Sequence, residues 1–233
     1  MTNVKDEKFL ENLNTIQNNL RRQIKLQNSF KLEDLKLVAG VDIAYWSDDG
    51  VNYGVCCIEI FDYHKKEIVD KAEYAGVVDF PYIPGYLSFR EMPLILEAVK
   101  LLQSDPDIYM FDGNGYLHSR NMGIATQASF ELNKPTIGIA KTYMKIDDVD
   151  FDMPENTAGA FTDIIVSNEV YGRALRTRTD VKPVFVSCGN WIDIDTAVKI
   201  TMHLVEKDSR LPITTRYADL ATHEARRKYK QQI

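Results

Sequence analysis

The sequence contains few cysteines, no long apolar run and no excess of basic residues. Only 3 cysteines occur in 233 residues, and two of them, Cys56 and Cys57, are adjacent. This makes a poor disulfide framework and favours a reducing compartment. No apolar run approaches the ~18 residues that a membrane span needs, and the charged, amphipathic N-terminus lacks the apolar region of a signal peptide. We therefore expect a cytoplasmic protein with no membrane partner.

The charge balance excludes one class of nucleic-acid-binding protein. Lys and Arg number 28 against 34 Asp and Glu, which gives a net charge of −6. A protein that coats nucleic acid through a uniformly basic surface is therefore excluded. A nuclease with an acidic metal site and a local basic rim is still compatible, because the electric field that acts on a ligand is local. Acidic residues crowd 147–155, which predicts a solvated loop, and basic residues concentrate in the C-terminal segment.

Apolar periodicity and turn residues divide the chain into helices and strands. Apolar residues spaced by three and four predict an amphipathic helix over 6–27. Asp48-Asp49-Gly50 predicts a tight turn, and three β-rich segments around it predict an antiparallel meander, at 37–46, 51–61 and 68–78. An apolar helical pattern follows Pro93, a residue that a helix tolerates best in its first turn.

The second half of the chain predicts parallel strands. A strand at 107–111, a helix at 122–132 and a strand at 135–140 follow one another, which is the order of a βαβ unit. The remaining segments are predicted as strands at 158–166, 169–176 and 183–187 and helices at 192–206 and 216–229. No composition break marks a second domain, so we predict one domain over 1–233. The expected fold class is α/β, with a central mixed β-sheet flanked by helices.

Four carboxylates stand out by their positions in these elements. Asp42 lies inside the apolar strand VAGVDIAYW, where a buried carboxylate without a partner is costly. Asp112 ends a strand before a Gly-x-Gly turn. Glu91 lies in SFREMP, before the predicted helix, and Asp219 lies early in the basic C-terminal helix. Carboxylates that converge from separate elements on one sheet edge provide the hard oxygen ligands that Mg²⁺ or Mn²⁺ prefers.

Each of these carboxylates also has an ordinary structural interpretation. Asp42 would then be an outward-facing strand residue, and Asp112 would belong to a tight turn. Glu91 would be an acid in the first turn of a helix, where it interacts favourably with the helix dipole. Asp219 would form a salt bridge with a basic residue of its own helix, Arg216 or Arg226.

One lysine and one histidine lie near these carboxylates in the sequence. Lys141 follows the strand PTIGIA and reaches the same strand-end region, either as a site residue or as a surface lysine. His118 follows the Gly-x-Gly turn, where it either contacts a turn or a phosphate or has a plain surface role. The histidines show no metal-ligand spacing, which argues against zinc; they are His64, His118, His203 and His223.

Six motifs occur in an order that resembles a known family. They are LVAGVDIAYW, PYIPGYLSFRE, FDGNGYLHSRNMGIATQ, PTIGIAK, PVFVSCGN and RLPITTRYAD. This ordered set, from about Val38 to Asp219, resembles the endonuclease V family, the deoxyinosine 3′ endonucleases. The resemblance covers nearly the whole chain and implies a ribonuclease H-like fold, which agrees with the predicted meander and parallel strands.

The resemblance also implies roles for individual residues. The metal carboxylates would be Asp42 in VAGVD, Glu91 in SFRE and Asp112 in DGNG, with Mg²⁺ as the cofactor and Mn²⁺ as its substitute. Asp219 in TRYAD matches a family position that is acidic or histidine, and it would join the same site. Lys141 in PTIGIAK corresponds to the catalytic lysine of the family.

A lesion-binding surface follows from the same resemblance. The segment PYIP, at 81–84, resembles the wedge that family members insert into the duplex beside the lesion, with Tyr82 as the stacking ring. Reading an extruded base requires a close approach of backbone amides, which glycine permits. The implied lesion-binding residues are Tyr82, Ile83, Pro84, Gly85, Leu87, Gly113, Gly115 and His118.

The implied activity is that of a Mg²⁺-dependent DNA repair endonuclease. It would recognise deoxyinosine in DNA and hydrolyse the second phosphodiester bond 3′ to it, leaving 3′-hydroxyl and 5′-phosphate ends, and we expect a monomer. Three alternatives stay open: an endoribonuclease for inosine-containing RNA, a non-catalytic lesion-binding module, and a small-molecule phosphohydrolase. The joint presence of Asp42, Glu91 and Asp112 argues against the binding module, and the segment PYIP argues against the phosphohydrolase.

Overall fold

The computed structural model describes residues 4–231, which form an eight-stranded mixed sheet with helices around it. The strands are β1 (Leu37–Asp48), β2 (Val51–Asp62), β3 (Ile68–Val77), β4 (Ile108–Asp112), β5 (Thr136–Ala140), β6 (Phe161–Val166), β7 (Glu169–Leu175) and β8 (Val184–Asn190). Their order across the sheet is β3-β2-β1-β4-β5-β8-β7-β6. The first three and last two residues of the domain predicted over 1–233 lie outside the described part of the chain.

Strands β1, β2 and β3 form the predicted antiparallel meander. Asp48 pairs with Val51, so that Asp49 and Gly50 are the two residues of the hairpin turn. Both have positive φ, 43° and 79°, the left-handed geometry in which an Asp-Gly pair is favoured. The turn predicted from Asp48-Asp49-Gly50 is therefore confirmed.

Strands β1, β4 and β5 run parallel in the middle of the sheet. Helix α3 (Ile124–Leu132) connects β4 with β5, which confirms the predicted βαβ unit. Strand β8 pairs antiparallel with β5 and continues the sheet through β7 to β6. Because β4 is much shorter than β1, the C-terminal end of β4 lies beside the middle of β1, and the C-terminal end of β5 lies on the other side of β4. Side chains at the ends of β4 and β5 therefore meet those from the middle of β1.

Helices cover both faces of this sheet. Helices α2 (Leu87–Val99) and α3 pack on one face, and α4 (Ile194–His203) and α5 (Ile213–Lys230) pack on the other. A Cβ atom at Gly40 of β1 would lie 2.1 Å from the carbonyl oxygen of Thr214, so glycine allows the first turn of α5 to rest directly on β1. This architecture confirms the expected α/β class and the ribonuclease H-like arrangement.

The first helix is shorter than the sequence predicts. Helix α1 spans Val4–Arg21, whereas the apolar spacing predicts a helix over 6–27. Beyond Arg21 the backbone does not continue the helix but hydrogen-bonds to residues at the end of β8. The Lys25 amide donates to Asn190 Oδ1 at 2.8 Å, and the Lys25 carbonyl accepts from the Trp191 amide at 2.8 Å. These tertiary hydrogen bonds override the local preference, and the helix prediction is wrong for 22–27.

Helix α2 begins before the proline at which the sequence predicts its start. It begins at Leu87, so Pro93 lies inside the helix, and its placement in the first turn is wrong. Pro93 lacks the amide that would bond to the Phe89 carbonyl, a loss that the packed helix accommodates. Glu91 accordingly lies beyond the first turn, which contains no acidic residue. The interpretation of Glu91 as a first-turn acid is therefore also wrong.

Two observations bear on the cysteine and hydropathy predictions. Within residues 4–231, no helix combines the length and the apolar character that crossing a membrane requires. The cysteines Cys56, Cys57 and Cys188 are all buried and free.

Candidate active site

Three aspartates from separate elements meet at the C-terminal edge of the parallel strands. In the β1–β4 register, Val41 pairs with Phe111. The residues that follow this pair, Asp42 and Asp112, therefore lie side by side, and Asp219 joins them from α5. Carboxylate oxygens of the three aspartates lie within 4.8 Å of one another, a spacing at which one cation can bind all three.

The ammonium group of Lys141 lies between two of these aspartates. Lys141 directly follows β5, and its Nζ lies 2.6 Å from Asp112 Oδ2 and 2.9 Å from Asp219 Oδ1. Arg210 donates to the Lys141 carbonyl oxygen at 3.1 Å, which holds the backbone at the end of the strand. The structure thus places Lys141 at the edge where the sequence puts it.

Helix α5 provides two further polar side chains. The Thr222 hydroxyl lies 2.6 Å from Asp42 Oδ2, to which it donates, and 2.9 Å from the Asp219 carbonyl oxygen. His223 Nε2 lies 3.8 Å from Asp219 Oδ1. The motifs of the sequence do not assign Thr222 or His223 to the site. Their spacing of three and four residues from Asp219, which puts them on its side of the helix, is the signal that identifies them.

The salt bridge proposed for Asp219 within its own helix does not form. Arg216 bonds to Asp208, and Arg226 bonds to His223. Asp219 pairs with Lys141, so that interpretation of Asp219 is wrong.

Glu91 approaches the aspartates from α2. It lines a cavity of about 230 Å³ together with Asp42 and Asp112, although it is not one of the three carboxylates that lie within 4.8 Å of one another. The Tyr45 hydroxyl donates to Glu91 Oε1 at 3.0 Å, and the Arg90 guanidinium lies 4.7 Å from the centre of the Tyr45 ring. Tyr45 could not be identified from the sequence, because nothing in a strand pattern predicts a contact with a helix about 45 residues away.

The environment of three carboxylates of the site, Asp42, Glu91 and Asp112, raises their pKa values. Burial raises the pKa of Asp42 to about 6, against the hydrogen bond from Thr222, and the charges of Asp112 and Asp219 raise it further. Burial raises the pKa of Glu91 to about 8 and also raises the pKa of Asp112. A divalent cation would compensate the negative charge that these groups accumulate. The oxygen donors and their spacing therefore fit Mg²⁺ or Mn²⁺.

The segment that resembles a wedge forms an exposed loop, which we call the wedge loop (residues 81–84). Tyr82 exposes 69% of its surface, and Pro84 is exposed as well. The Ile83 carbonyl accepts from the amide of Tyr86 at 3.0 Å. Gly85 closes the loop at φ +83°, a conformation that favours glycine. Leu87 then begins α2, so the loop projects from the start of a helix.

The two glycines predicted to contact an extruded base lie deeper in the fold. The amide of Gly113 donates to the Ile139 carbonyl at 3.1 Å, and the amide of Gly115 donates to Ser187 Oγ at 2.8 Å. Both amides are thus engaged within the protein. Base contacts by Gly113 and Gly115 stay predictions.

His118 lies inside the protein. Its surface is 4% exposed, so the plain surface role is wrong, and a lesion contact stays a prediction. Nδ1 accepts from the Arg120 amide at 3.2 Å, which places the ring hydrogen of the neutral form on Nε2. Burial, assisted by the charge of Arg120, lowers the pKa of His118 to about 4. The imidazole is therefore neutral in the folded protein at neutral pH.

We expect His118 to make the protein less stable as the pH falls. Between pH 6.5 and 4 the unfolded chain binds a proton on His118 that the folded protein does not, so the free energy of unfolding decreases with decreasing pH. The contribution from pH 7 to pH 5 is about 2 kcal/mol. Urea unfolding of the wild type and of His118→Asn at each pH measures this contribution. Asparagine keeps a hydrogen-bond acceptor but does not titrate.

The exposed His64 provides the matched control for this titration. His118→Asn is expected to flatten the pH dependence, and His64→Asn makes the same exchange at the surface and so measures the effect of the substitution itself. If the free energy of unfolding depended on pH equally in the wild type and in His118→Asn, a neutral buried imidazole at His118 would be contradicted.

Comparisons with known proteins connect this site to one family. The family model described as Endonuclease V matches residues 18–220. A Bacillus thuringiensis protein named Endonuclease V is 58% identical over 228 residues, which cover 98% of this chain and 97% of that protein. The crystal structure of the Bacillus subtilis endonuclease V superposes with a TM-score of 0.92 at 52% identity, covering 100% of this chain and 96% of that one.

A more distant relative is described together with nucleic acid. Endonuclease V of Ciona intestinalis, in complex with a 24mer DNA containing an inosine followed by a ribo-adenosine, superposes with a TM-score of 0.84. It is 26% identical, and the match covers 96% of this chain and 99% of that one. With the family match and these identities, the resemblance seen in the motifs is confirmed, and the chain belongs to the endonuclease V family.

Proposed function

We propose that this nuclease recognises deoxyinosine in DNA and, with Mg²⁺, hydrolyses the second phosphodiester bond 3′ to it, as a step of DNA repair in the cytoplasm. The products would carry 3′-hydroxyl and 5′-phosphate ends, and Mn²⁺ would substitute for Mg²⁺. The observation that carries the proposal is the cluster of Asp42, Asp112 and Asp219 with Lys141 between two of them, in a member of this family.

The carboxylates would hold the metal. Asp42, Asp112 and Asp219 provide oxygens from two strands and a helix, and Glu91 lies at the same cavity. A divalent ion held by these residues would supply Lewis-acid chemistry: it would lower the pKa of a water that attacks phosphorus and would balance charge on the leaving 3′ oxygen. Hydrogen bonds fix the orientation of two carboxylates in advance, since Thr222 donates to Asp42 and Tyr45 donates to Glu91.

Lys141 would act on the substrate phosphate. Its ammonium group is partly exposed, with 34% of the side chain accessible, and two aspartates hold it at the edge of the sheet. A cation held in position stabilises the negative charge that develops on phosphate oxygens in the transition state. Lys141 can therefore neutralise a non-bridging oxygen or orient the attacking water without rearranging.

The wedge loop would provide the contact with the bases. Tyr82 is the most exposed large apolar or aromatic side chain of the described residues, at 69%. Stacking of an aromatic ring on a base contributes about 1–3 kcal/mol, and extrusion of a weakly paired base costs less than that of a normal one. The contact of Tyr82 with a base next to the lesion would thus favour inosine over normal pairs.

A cleavage assay tests this proposal. One labelled duplex carries a single internal deoxyinosine, and its RNA counterpart carries inosine, each with and without Mg²⁺. The expected result is a metal-dependent nick one nucleotide beyond the lesion in DNA. A protein that binds the duplex but leaves it intact in Mg²⁺ would overturn the catalytic proposal and favour a lesion-binding module.

RNA cleavage is the second candidate activity. The Ciona intestinalis relative was captured with an inosine followed by a ribo-adenosine, which favours a site that accepts ribose at that position. Cutting confined to the RNA substrate, or a requirement for ribose at the scissile position, would support this alternative. Turnover of free inosine nucleotides would instead support a phosphohydrolase.

A further inference from the structure

Helix α1 contacts the chain on both sides of the wedge loop. Before the loop, the ring of Phe80 lies 5.8 Å from the ring of Phe9 on α1. After it, the Tyr86 hydroxyl donates to Asn14 Oδ1 at 2.7 Å. The loop itself, with the exposed Tyr82, lies between these two contacts. Helix α1 therefore holds both ends of the loop and leaves its aromatic ring free.

A third contact couples α1 to the loop through a buried amide. Gln17 is 0% exposed, and its Nε2 donates to the Gly85 carbonyl at 3.2 Å. Arg120 donates from Nε to Gln17 Oε1 at 2.6 Å and from a terminal nitrogen to the same Gly85 carbonyl at 2.6 Å. The Arg120 guanidinium also lies 4.3 Å from the centre of the Tyr86 ring. Both polar ends of Gln17 are satisfied, and the Gly85 carbonyl accepts twice.

We propose that Gln17 and Arg120 are positioning residues for lesion recognition, and that α1 and Arg120 together clamp the wedge loop in the conformation that contacts the bases. This inference rests on the proposed function for its substrate. Gln17, like Phe9 and Asn14, precedes residue 18, where the match to the family model begins, so these contacts lie outside that match.

The physical reason is preorganisation. Gly85 has φ +83°, and a free loop with a glycine at its end samples many conformations. Two hydrogen bonds to the Gly85 carbonyl and the stacked guanidinium restrict that freedom before nucleic acid binds. A loop that is ordered in advance loses less entropy on binding, so the clamp increases affinity for the lesion without touching the metal site.

The test uses Gln17→Met in the full chain, which keeps the length of the side chain and removes both hydrogen bonds. In the free protein, hydrogen–deuterium exchange of the segment 80–86 is expected to become about 10-fold faster, while exchange of β1 and β4 is unchanged. In single-turnover cleavage of the deoxyinosine duplex, the half-saturating protein concentration is expected to rise about 10-fold, and the rate at saturation to stay within about 2-fold. Gln23→Met, at an exposed glutamine just beyond α1, is the matched control and leaves both unchanged.

The exchange and cleavage results together show whether Gln17 and Arg120 clamp the wedge loop. Faster loop exchange with weaker lesion binding and an intact saturated rate supports the clamp. Unchanged loop exchange, or faster exchange with unaltered lesion binding, overturns it. If Gln17→Met does not fold, Arg120→Lys replaces it, because lysine keeps the charge but cannot reach Gln17 and Gly85 with one planar group. A wild type that neither binds nor cuts the deoxyinosine duplex overturns the proposed function itself, a failure visible before any variant is made.

Discussion

Replacing Asp112 with asparagine is expected to lower the Mg²⁺-dependent cleavage rate about 1,000-fold while binding of the deoxyinosine duplex is retained or becomes tighter. The variant loses one of three carboxylates that lie within 4.8 Å of one another, and with it much of the negative charge that attracts the metal. A loss of about 4 kcal/mol of transition-state stabilisation corresponds to this factor. Fewer carboxylates also repel the phosphate backbone less, which favours binding. Single-turnover cleavage and fluorescence anisotropy in EDTA measure the two quantities separately.

Asp148→Asn is the matched control for this substitution. Asp148 is exposed and has φ 59°, a left-handed conformation that asparagine also adopts readily. The substitution Asp148→Asn removes the same charge from the chain as Asp112→Asn, so it controls for the overall change in the repulsion between protein and DNA. Retention of more than about a tenth of the wild-type rate by Asp112→Asn would contradict a metal-holding role for Asp112.

The fold could be predicted from the sequence where local signals determine it. The Asp49-Gly50 pair specifies a turn geometry, and the alternation around it specifies the meander, because both depend on neighbours in sequence. The same reasoning failed where tertiary contacts decide. Residues 22–27 have helical spacing, but Lys25 in this segment hydrogen-bonds to Asn190 and Trp191. Pro93 lies inside a helix that begins earlier than the proline indicates.

The candidate site shows the same division. Asp42 and Asp112 could be identified because neighbouring residues in the sequence show that one is an acid in an apolar strand and the other an acid at a strand end. The partners that orient the carboxylates could not, since Tyr45 and Thr222 meet Glu91 and Asp42 only through the packing of α2 and α5 on the sheet. The contacts of α1 with the wedge loop were invisible for the same reason.

Lys141 tests a different part of the site, where the cleavage rate is expected to fall while the metal affinity holds or rises. Replacing Lys141 with methionine should lower cleavage about 100-fold, since removal of one preorganised donor near a reacting group costs about 10²–10³ in rate. The ammonium group lies 2.6 Å from Asp112 and 2.9 Å from Asp219, so it competes with a metal for both carboxylates. Without it, Mn²⁺ should bind equally well or more tightly, as measured by electron paramagnetic resonance of the free ion.

Lys145→Met provides the control, because Lys145 pairs with Asp150 at 3.2 Å and both residues are exposed. An exposed ion pair contributes little to stability, and we expect Lys145→Met to cleave within about 2-fold of the wild-type rate. If Lys141→Met loses cleavage and Mn²⁺ affinity together, Lys141 acts by shaping the metal site. If cleavage falls while Mn²⁺ affinity holds or rises, its charge acts on the substrate. The second result is the expected one, because two aspartates already hold the ammonium group where a phosphate would meet it.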